Sequence, residues 1–198
     1  TQDQAGAKLD GDALYAQLIA ALDRQDYAAV IQAASTPLTP AVTRVELMNS
    51  FALVSSFTTE TTSSANRNNN INLACQAVTG KVVMPGEEFS FNALCGPYRK
   101  SNGYQKAPNI SRDGVGYGGG VCQVSTTLYN ALLCLPLRIT DWSVHRRSGI
   151  PYARQYFDAA VGSYSDLRFV NTLPYPIALT ALPQGGAVTA LISRASAE

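Results

Sequence analysis

Between Gly114 and Leu135 the sequence runs GVGYGGGVCQVSTTLYNALLCL. A glycine-rich approach gives way to a pattern with the period of a helix. Val121, Val124, Leu128, Ala131, Leu132 and Leu135 fall within about 100° of arc at 3.6 residues per turn, a core-facing stripe. Cys122 lies off that stripe, with Ser125, Thr126 and Tyr129 on a neighbouring, more polar sector. The opening turn of a helix leaves amides unpaired and presents the positive end of its dipole, and both favour a thiolate. Cys122 is therefore a candidate nucleophile. The competing reading is a small buried hydrophobe, the common fate of a free cysteine.

Working outward, the 198 residues suffice for one sizeable core, or one core plus a small appended piece. Apolar residues make up 46% and charged residues 15%, a globular composition rather than a disordered one. A net charge of +1 and the lack of any Lys/Arg run speak against nucleic acid as a partner. No apolar run approaches the roughly 20 residues that span a bilayer, and no secretory signal is present. The chain begins at Thr1 without Met, so an upstream leader or anchor is compatible with it. Cys75, Cys95, Cys122 and Cys134 lack the spacing of zinc ligands, and neither a metal nor another cofactor is expected.

Two helices are expected at the start, one from Asp12, which would cap it, with Leu14, Leu18, Ala21 and Leu22 on one face, and a short one around Tyr27–Ala34. Pro37 and Pro40 then open a linker leading to a short helix near Glu46 and an extended stretch from Phe51 to Thr61. The expected division is 1–50, a helical segment, and 51–198, the main domain. Asn66–Thr79 reads as a helix with Ile71, Ala74, Cys75 and Val78 inward and Gly80 as its stop. Lys81–Met84 and Glu88–Phe91 read as strands joined by a Pro85-Gly86 type II turn. Asn102–Gly120 reads as loop. After Pro136, strands are expected at Leu137–Val144, Pro151–Val161, Asp166–Asn171, Ile177–Leu182 and Val188–Ser193. Helices first and strands later predict an α+β fold with an antiparallel sheet around a central helix that carries Cys122 at its N-terminus.

The segments SSANRNNNINLA (63–74), PGEEFSFN (85–92), NGY (102–104), GGGVCQVSTTLYNALL (118–133), FDAAV (157–161) and DLRFVN (166–171) resemble the VanW domain, named from vancomycin-resistance clusters. Residues Leu14–Leu47 resemble the end of the peptidoglycan-binding domain that often precedes it. The resemblance implies an extracytoplasmic protein of the cell wall or cell surface that acts on peptidoglycan stem peptides. It further implies L,D-transpeptidase activity, which forms 3-3 cross-links through a cysteine, here Cys122. The alternatives are a cysteine peptidase or carboxypeptidase on the same stems, and a non-catalytic wall-binding module.

Thiol acyl transfer needs a proton carrier and oxyanion donors besides the thiolate. His145, the sole histidine, is the candidate base, since imidazole alone titrates naturally near neutrality. The competing reading is a surface histidine beside two arginines. Asp158 and Asp166 compete to orient it, and Asp158 is preferred because it lies in the FDAAV segment. The amides of Cys122 and Gln123, or the Gln123 side chain, are the expected oxyanion donors. Gly120, Ser125, Tyr129 and Arg147 complete the expected oxyanion and substrate-binding set. Arg146, Arg147 and Arg154 are suited to stem carboxylates. Arg67, Asn70, Ser90 and Asn92 either fix loops by bonding to backbone or line the cleft, with scaffold preferred for Arg67 and Asn70. Tyr104 is either a cleft aromatic or core. Cys75 and Cys134 read as core, with a Cys75–Cys95 disulfide left open.

Overall fold

The computed structural model describes residues 5–40, 51–60, 64–109, 114–145 and 150–195. The chain divides into two units, Thr1–Ser50 and Phe51–Glu198. In the first, β1 (Gly6–Leu9) and β2 (Ser35–Leu38) form an antiparallel pair, and α1 (Gly11–Asp23) lies between them in sequence. The helix is capped by Asp10, whose carboxylate accepts from the Ala13 amide at 3.0 Å, and not by the expected Asp12, which sits in the first turn. The expected second helix at Tyr27–Ala34 does not form. There the Gln17 side chain bonds the backbone of Gln32 at both N–H and C=O, holding the segment in an irregular path in place of i→i−4 bonds. The helix expected near Glu46 falls outside the described residues.

The second unit is built around α4 (Val121–Leu132), whose predicted stripe is the core: Val121, Val124, Leu128, Ala131 and Leu132 are all buried. The helix ends at Leu132 rather than Leu135, which is half-buried and packs on the core from beyond the end. One side of α4 meets a four-stranded antiparallel sheet in the order β3-β11-β10-β4, formed by Phe51–Glu60, Ala187–Ala195, Ile177–Gln184 and Lys81–Val83. Alternating inward residues of that sheet, Ile177, Leu179, Val188, Ala190 and Ile192, are fully or almost fully buried, as the period-2 pattern requires. Helix α2 (Ala65–Val78), capped by Ser64, packs against β10 and presents the expected Ile71, Ala74, Cys75 and Val78 inward.

A second antiparallel sheet, β5-β9-β8, combines Glu88–Ser90, Arg168–Val170 and Arg138–Asp141, with Phe89 and Phe169 stacked at 5.1 Å between ring centroids. The Pro85-Gly86 turn forms as expected, with Gly86 at φ 80° and Glu87 N–H donating to the Met84 carbonyl at 3.0 Å. A short helix α3 (Phe91–Cys95) follows Ser90, which caps it through the Ala93 amide, where the sequence pattern suggested only the end of a strand. Within Asn102–Gly120, expected to be loop, β6 (Lys106–Pro108) and β7 (Val115–Tyr117) pair as a small ribbon.

The architecture is α+β with antiparallel sheets around a central helix, as the order of elements implied. The clearest departure is Pro151–Val161, expected as a strand, which has no ladder partner and runs irregularly. Its backbone groups are taken by side chains instead, and this places the site described next.

Candidate active site

Gly118 to Gly120 turn the chain into α4. Gly120 caps the helix at φ 107°, and a Cβ there would stand 2.8 Å from Arg67 Cγ and 3.2 Å from the Arg67 carbonyl. Only glycine fits both the left-handed backbone and the close approach of α2. Cys122 follows in the first turn, half-buried, with its Sγ 3.4 Å from the Val161 carbonyl. Val121 N–H donates to Gly118 and Gln123 N–H to Gly120, each at 3.0 Å. The Cys122 amide is then the first-turn donor beside its own sulfur.

The polar sector of α4 explains where the partners come from. Ser125 Oγ donates to the Ala159 carbonyl at 2.7 Å, and Thr126 Oγ1 accepts from the Ala159 amide at 3.0 Å. Asn130 Nδ2 donates to the Phe157 carbonyl at 2.7 Å. On the other side Trp142 Nε1 donates to the Asp158 carbonyl at 2.8 Å, and the Ala160 amide donates to Ser143 at 2.8 Å. FDAAV is thus held by side chains from α4 and by the segment after β8, which carries His145. Each such bond contributes about 1 kcal/mol, and leaving Ser125 or Thr126 unpaired at zero exposure would cost more.

This clamp aims Asp158. One carboxylate oxygen, Oδ2, accepts from the His145 backbone amide at 2.7 Å and lies 2.6 Å from Nδ1 of its ring. Both side chains are nearly buried, at 10% exposure for His145 and 5% for Asp158. With Nδ1 engaged, Nε2 is the ring nitrogen left for the thiol of Cys122, which lines the same cleft. Burial alone pulls the imidazole towards neutrality. The nearby Cys122 and the hydrogen-bonded Asp158 outweigh it and hold His145 above its ordinary value. The three residues therefore form a chain, carboxylate to imidazole to thiol, of the kind used in nucleophilic catalysis.

Cys122 and His145 line a cleft of about 220 Å³, walled by Gly118–Gly120, Pro108, Asn109, Arg67, Pro151 and Tyr152. Arg67 is favoured by the sequence as scaffold over a place in the cleft. It does hold the Gln123 Oε1 at 2.7 Å, but its guanidinium also faces the cleft, 6.0 Å over the Tyr152 ring. Burial lowers its pKa, with Tyr152 and Cys122 acting in the opposite direction. Burial and the nearby Cys122 push the Tyr152 phenol up and keep it neutral. Nothing in the local pattern marks Tyr152. For Arg67 the signal is a lone cation in an asparagine-rich helix.

Other candidates are placed elsewhere. Both donors of the Gln123 side chain are committed to Thr59 Oγ1 at 2.9 Å and the Glu60 carbonyl at 2.7 Å, so that amide is framework rather than oxyanion donor. Ser125 anchors the Asp158 segment and does not face the cleft as a substrate contact. Tyr129 is buried and stacked on Trp142 at 5.2 Å. It supports the residue that holds Asp158. Asp166 is engaged by Ser90, the Asn92 amide and Arg168, away from His145. Asn70, fully buried, bonds Gln105 and Gly119 and does the scaffold work expected of it. Tyr104 is core, its hydroxyl on the Cys95 carbonyl at 2.6 Å. Arg146 and Arg147 lie outside the described residues. All four cysteines are free thiols: Cys75 and Cys95 are buried and pushed up to about 12 by burial, and Cys134, expected in the core, is exposed at the end of α4. Among the described residues no helix is long and apolar enough to cross a membrane.

The model of the family described as VanW like protein matches residues 66–193, which include Arg67, Cys122, His145 and Asp158. A curated relative, the uncharacterized protein YoaR of Bacillus subtilis (strain 168), is 40% identical over 129 residues, covering 64% of this chain and 42% of the relative. The chain thus spans less than half the length of that relative. No solved structure matches it. With the family model extending over most of its length and enclosing the whole thiol–imidazole–carboxylate chain, the protein belongs to the VanW-like family.

Proposed function

We propose that this is an extracytoplasmic cysteine acyltransferase acting on peptidoglycan stem peptides, an L,D-transpeptidase that makes 3-3 cross-links. The observation that carries the proposal is the buried Asp158–His145 pair, whose imidazole lines one cleft with the half-buried Cys122. A structural cysteine needs no such partner, whereas a nucleophilic one needs a base and a group to orient it. In the proposed reaction His145 takes the thiol proton and Asp158 steadies the imidazolium. Sγ attacks the carbonyl of the penultimate residue of a tetrapeptide stem. The Cys122 amide stabilises the oxyanion, and terminal D-Ala leaves with the proton from His145. A side-chain amine of a second stem then takes the acyl group. Residues 1–50, with their resemblance to a wall-polymer-binding tail, are proposed to keep the domain close to its substrate.

The test is to incubate wild type and Cys122→Ala with tetrapeptide-bearing muropeptides and weigh the products. Cross-linked dimers from wild type alone support transpeptidation, and shortened stems alone indicate hydrolysis of the same acyl-enzyme. Dimers formed equally by Cys122→Ala would overturn cysteine catalysis. Sacculus binding that persists in an inert wild-type protein would identify a binding module instead.

A further inference from the structure

A second cleft, about 650 Å³, adjoins the first and shares Pro151 and Tyr152 with it. Its remaining walls include Phe57, Thr58 and Glu60 on β3 and Ala153, Arg154 and Phe157 beyond Tyr152. We propose that this larger cleft is the acceptor subsite, which seats the stem peptide whose side-chain amine receives the acyl group; this rests on the acyl-transfer reading above.

Three observations support it. The first is size. A transferase must hold two peptide chains, and ligand sites usually measure roughly 300–1,000 Å³. The Cys122 cleft, at about 220 Å³, has room for little more than the residues flanking the scissile bond. The neighbouring cleft falls inside that range.

The second is charge. The acceptor offers an ammonium and free carboxylates, and the cleft offers the Glu60 carboxylate and the Arg154 guanidinium. The ion pairs among the described residues are Lys81–Glu87, His145–Asp158 and those of Arg168 with Glu88 and Asp166. Neither Glu60 nor Arg154 belongs to any of them. Phe57, Phe157 and the Tyr152 ring supply apolar wall for the methyl groups of alanine residues.

The third is the shared wall. Tyr152 borders both clefts, its ring lies under the Arg67 guanidinium, and its phenol is within electrostatic reach of Cys122 and Asp158. A chain lying along Tyr152 from the larger cleft therefore delivers its amine towards the thioester. One ammonium proton passes to solvent. As the amine nitrogen attacks the thioester carbonyl, the new C–N bond forms, the C–S bond breaks, and the second proton passes through His145 to Sγ. Water taking the same place gives the shortened stem and free thiol.

The two half-reactions separate the possibilities. Donor tetrapeptide muropeptide is supplied with a tripeptide-stem muropeptide as acceptor, and D-Ala release is measured alongside the ratio of dimer to shortened stem. Glu60→Gln and Arg154→Gln each remove one of the two charges from exposed positions on the cleft wall. D-Ala release without acceptor stays within about twofold of wild type, as for other surface substitutions. At limiting acceptor the ratio falls by about tenfold or more, the scale of one lost charge-assisted bond. Unchanged ratios in both variants overturn the acceptor subsite while leaving acyl transfer intact, and so does a proportional loss of both half-reactions. Absence of D-Ala release and of any acyl adduct on Cys122 in wild type overturns the acyl-transfer reading itself.

Discussion

Replacing Asp158 by Asn keeps the shape of the side chain and removes its charge, which isolates the contribution of the carboxylate to Cys122. In the native site one oxygen serves both the His145 amide at 2.7 Å and the ring Nδ1 at 2.6 Å. An asparagine can place its one carbonyl oxygen at both contacts but carries no charge, so charge assistance is lost at the imidazole. A charge-assisted bond contributes about 1.5–3 kcal/mol, and with side chains only 5–10% exposed there is little solvent screening to reduce it. At about 1.4 kcal/mol per factor of ten, thiol reactivity supported by the imidazolium falls about 10- to 150-fold. The assay is alkylation by iodoacetamide at pH 6–7, followed by mass spectrometry of the cysteine-containing peptides. The protein contains its own reference, because Cys134 is exposed and outside the chain of partners, while Cys75 and Cys95 are buried thiols pushed up to about 12. The ratio of Cys122 to Cys134 labelling therefore cancels reagent and folding differences. Cys122 outpacing Cys134 in wild type, and losing that lead in Asp158→Asn, is the expected result. A ratio that does not move refutes the coupling of Asp158 to Cys122 through His145.

Two further outcomes follow from the same geometry. His145 is held above its ordinary value, so the folded protein keeps a proton that the unfolded chain loses near pH 6.5. The stabilisation is complete below that pH and is lost as pH rises through the raised value, so the gap in thermal midpoint between wild type and His145→Gln narrows with rising pH; a gap that widens contradicts the pairing. Gly120→Ala places a Cβ 2.8 Å from Arg67 Cγ at φ 107°. It should cost about 1–3 kcal/mol, read as a lower midpoint together with slower Cys122 labelling, and an unchanged midpoint would show that the helix start is not as tightly set as described.

How far the site was legible in the sequence depends on what periodicity can report. The spacing of Val121, Val124, Leu128, Ala131 and Leu132 located the core face of α4 and put Cys122 in its first turn, because a buried stripe follows directly from 3.6 residues per turn. The polar sector was visible too, but a helical wheel cannot say what a polar face meets. Ser125 and Thr126 suggested surroundings suited to a reactive thiol, and instead their hydroxyls are fully buried and hold Ala159. The same contacts explain why Pro151–Val161 is not a strand. Its carbonyls and amides are satisfied by Ser125, Thr126, Asn130 and Trp142, side chains distant in sequence, where a strand would use a neighbouring backbone. Local pattern registers alternation and is silent on who supplies the hydrogen bonds. Tyr152 escaped, and Arg67 was preferred as scaffold over cleft, for a related reason, since they come to the cleft from an irregular segment and from α2 and meet only in three dimensions. The proposed chemistry accordingly depends less on the glycine-rich approach to Cys122 than on the buried polar face behind it. That face fixes FDAAV, FDAAV fixes Asp158, and Asp158 turns the one imidazole of the chain towards the thiol.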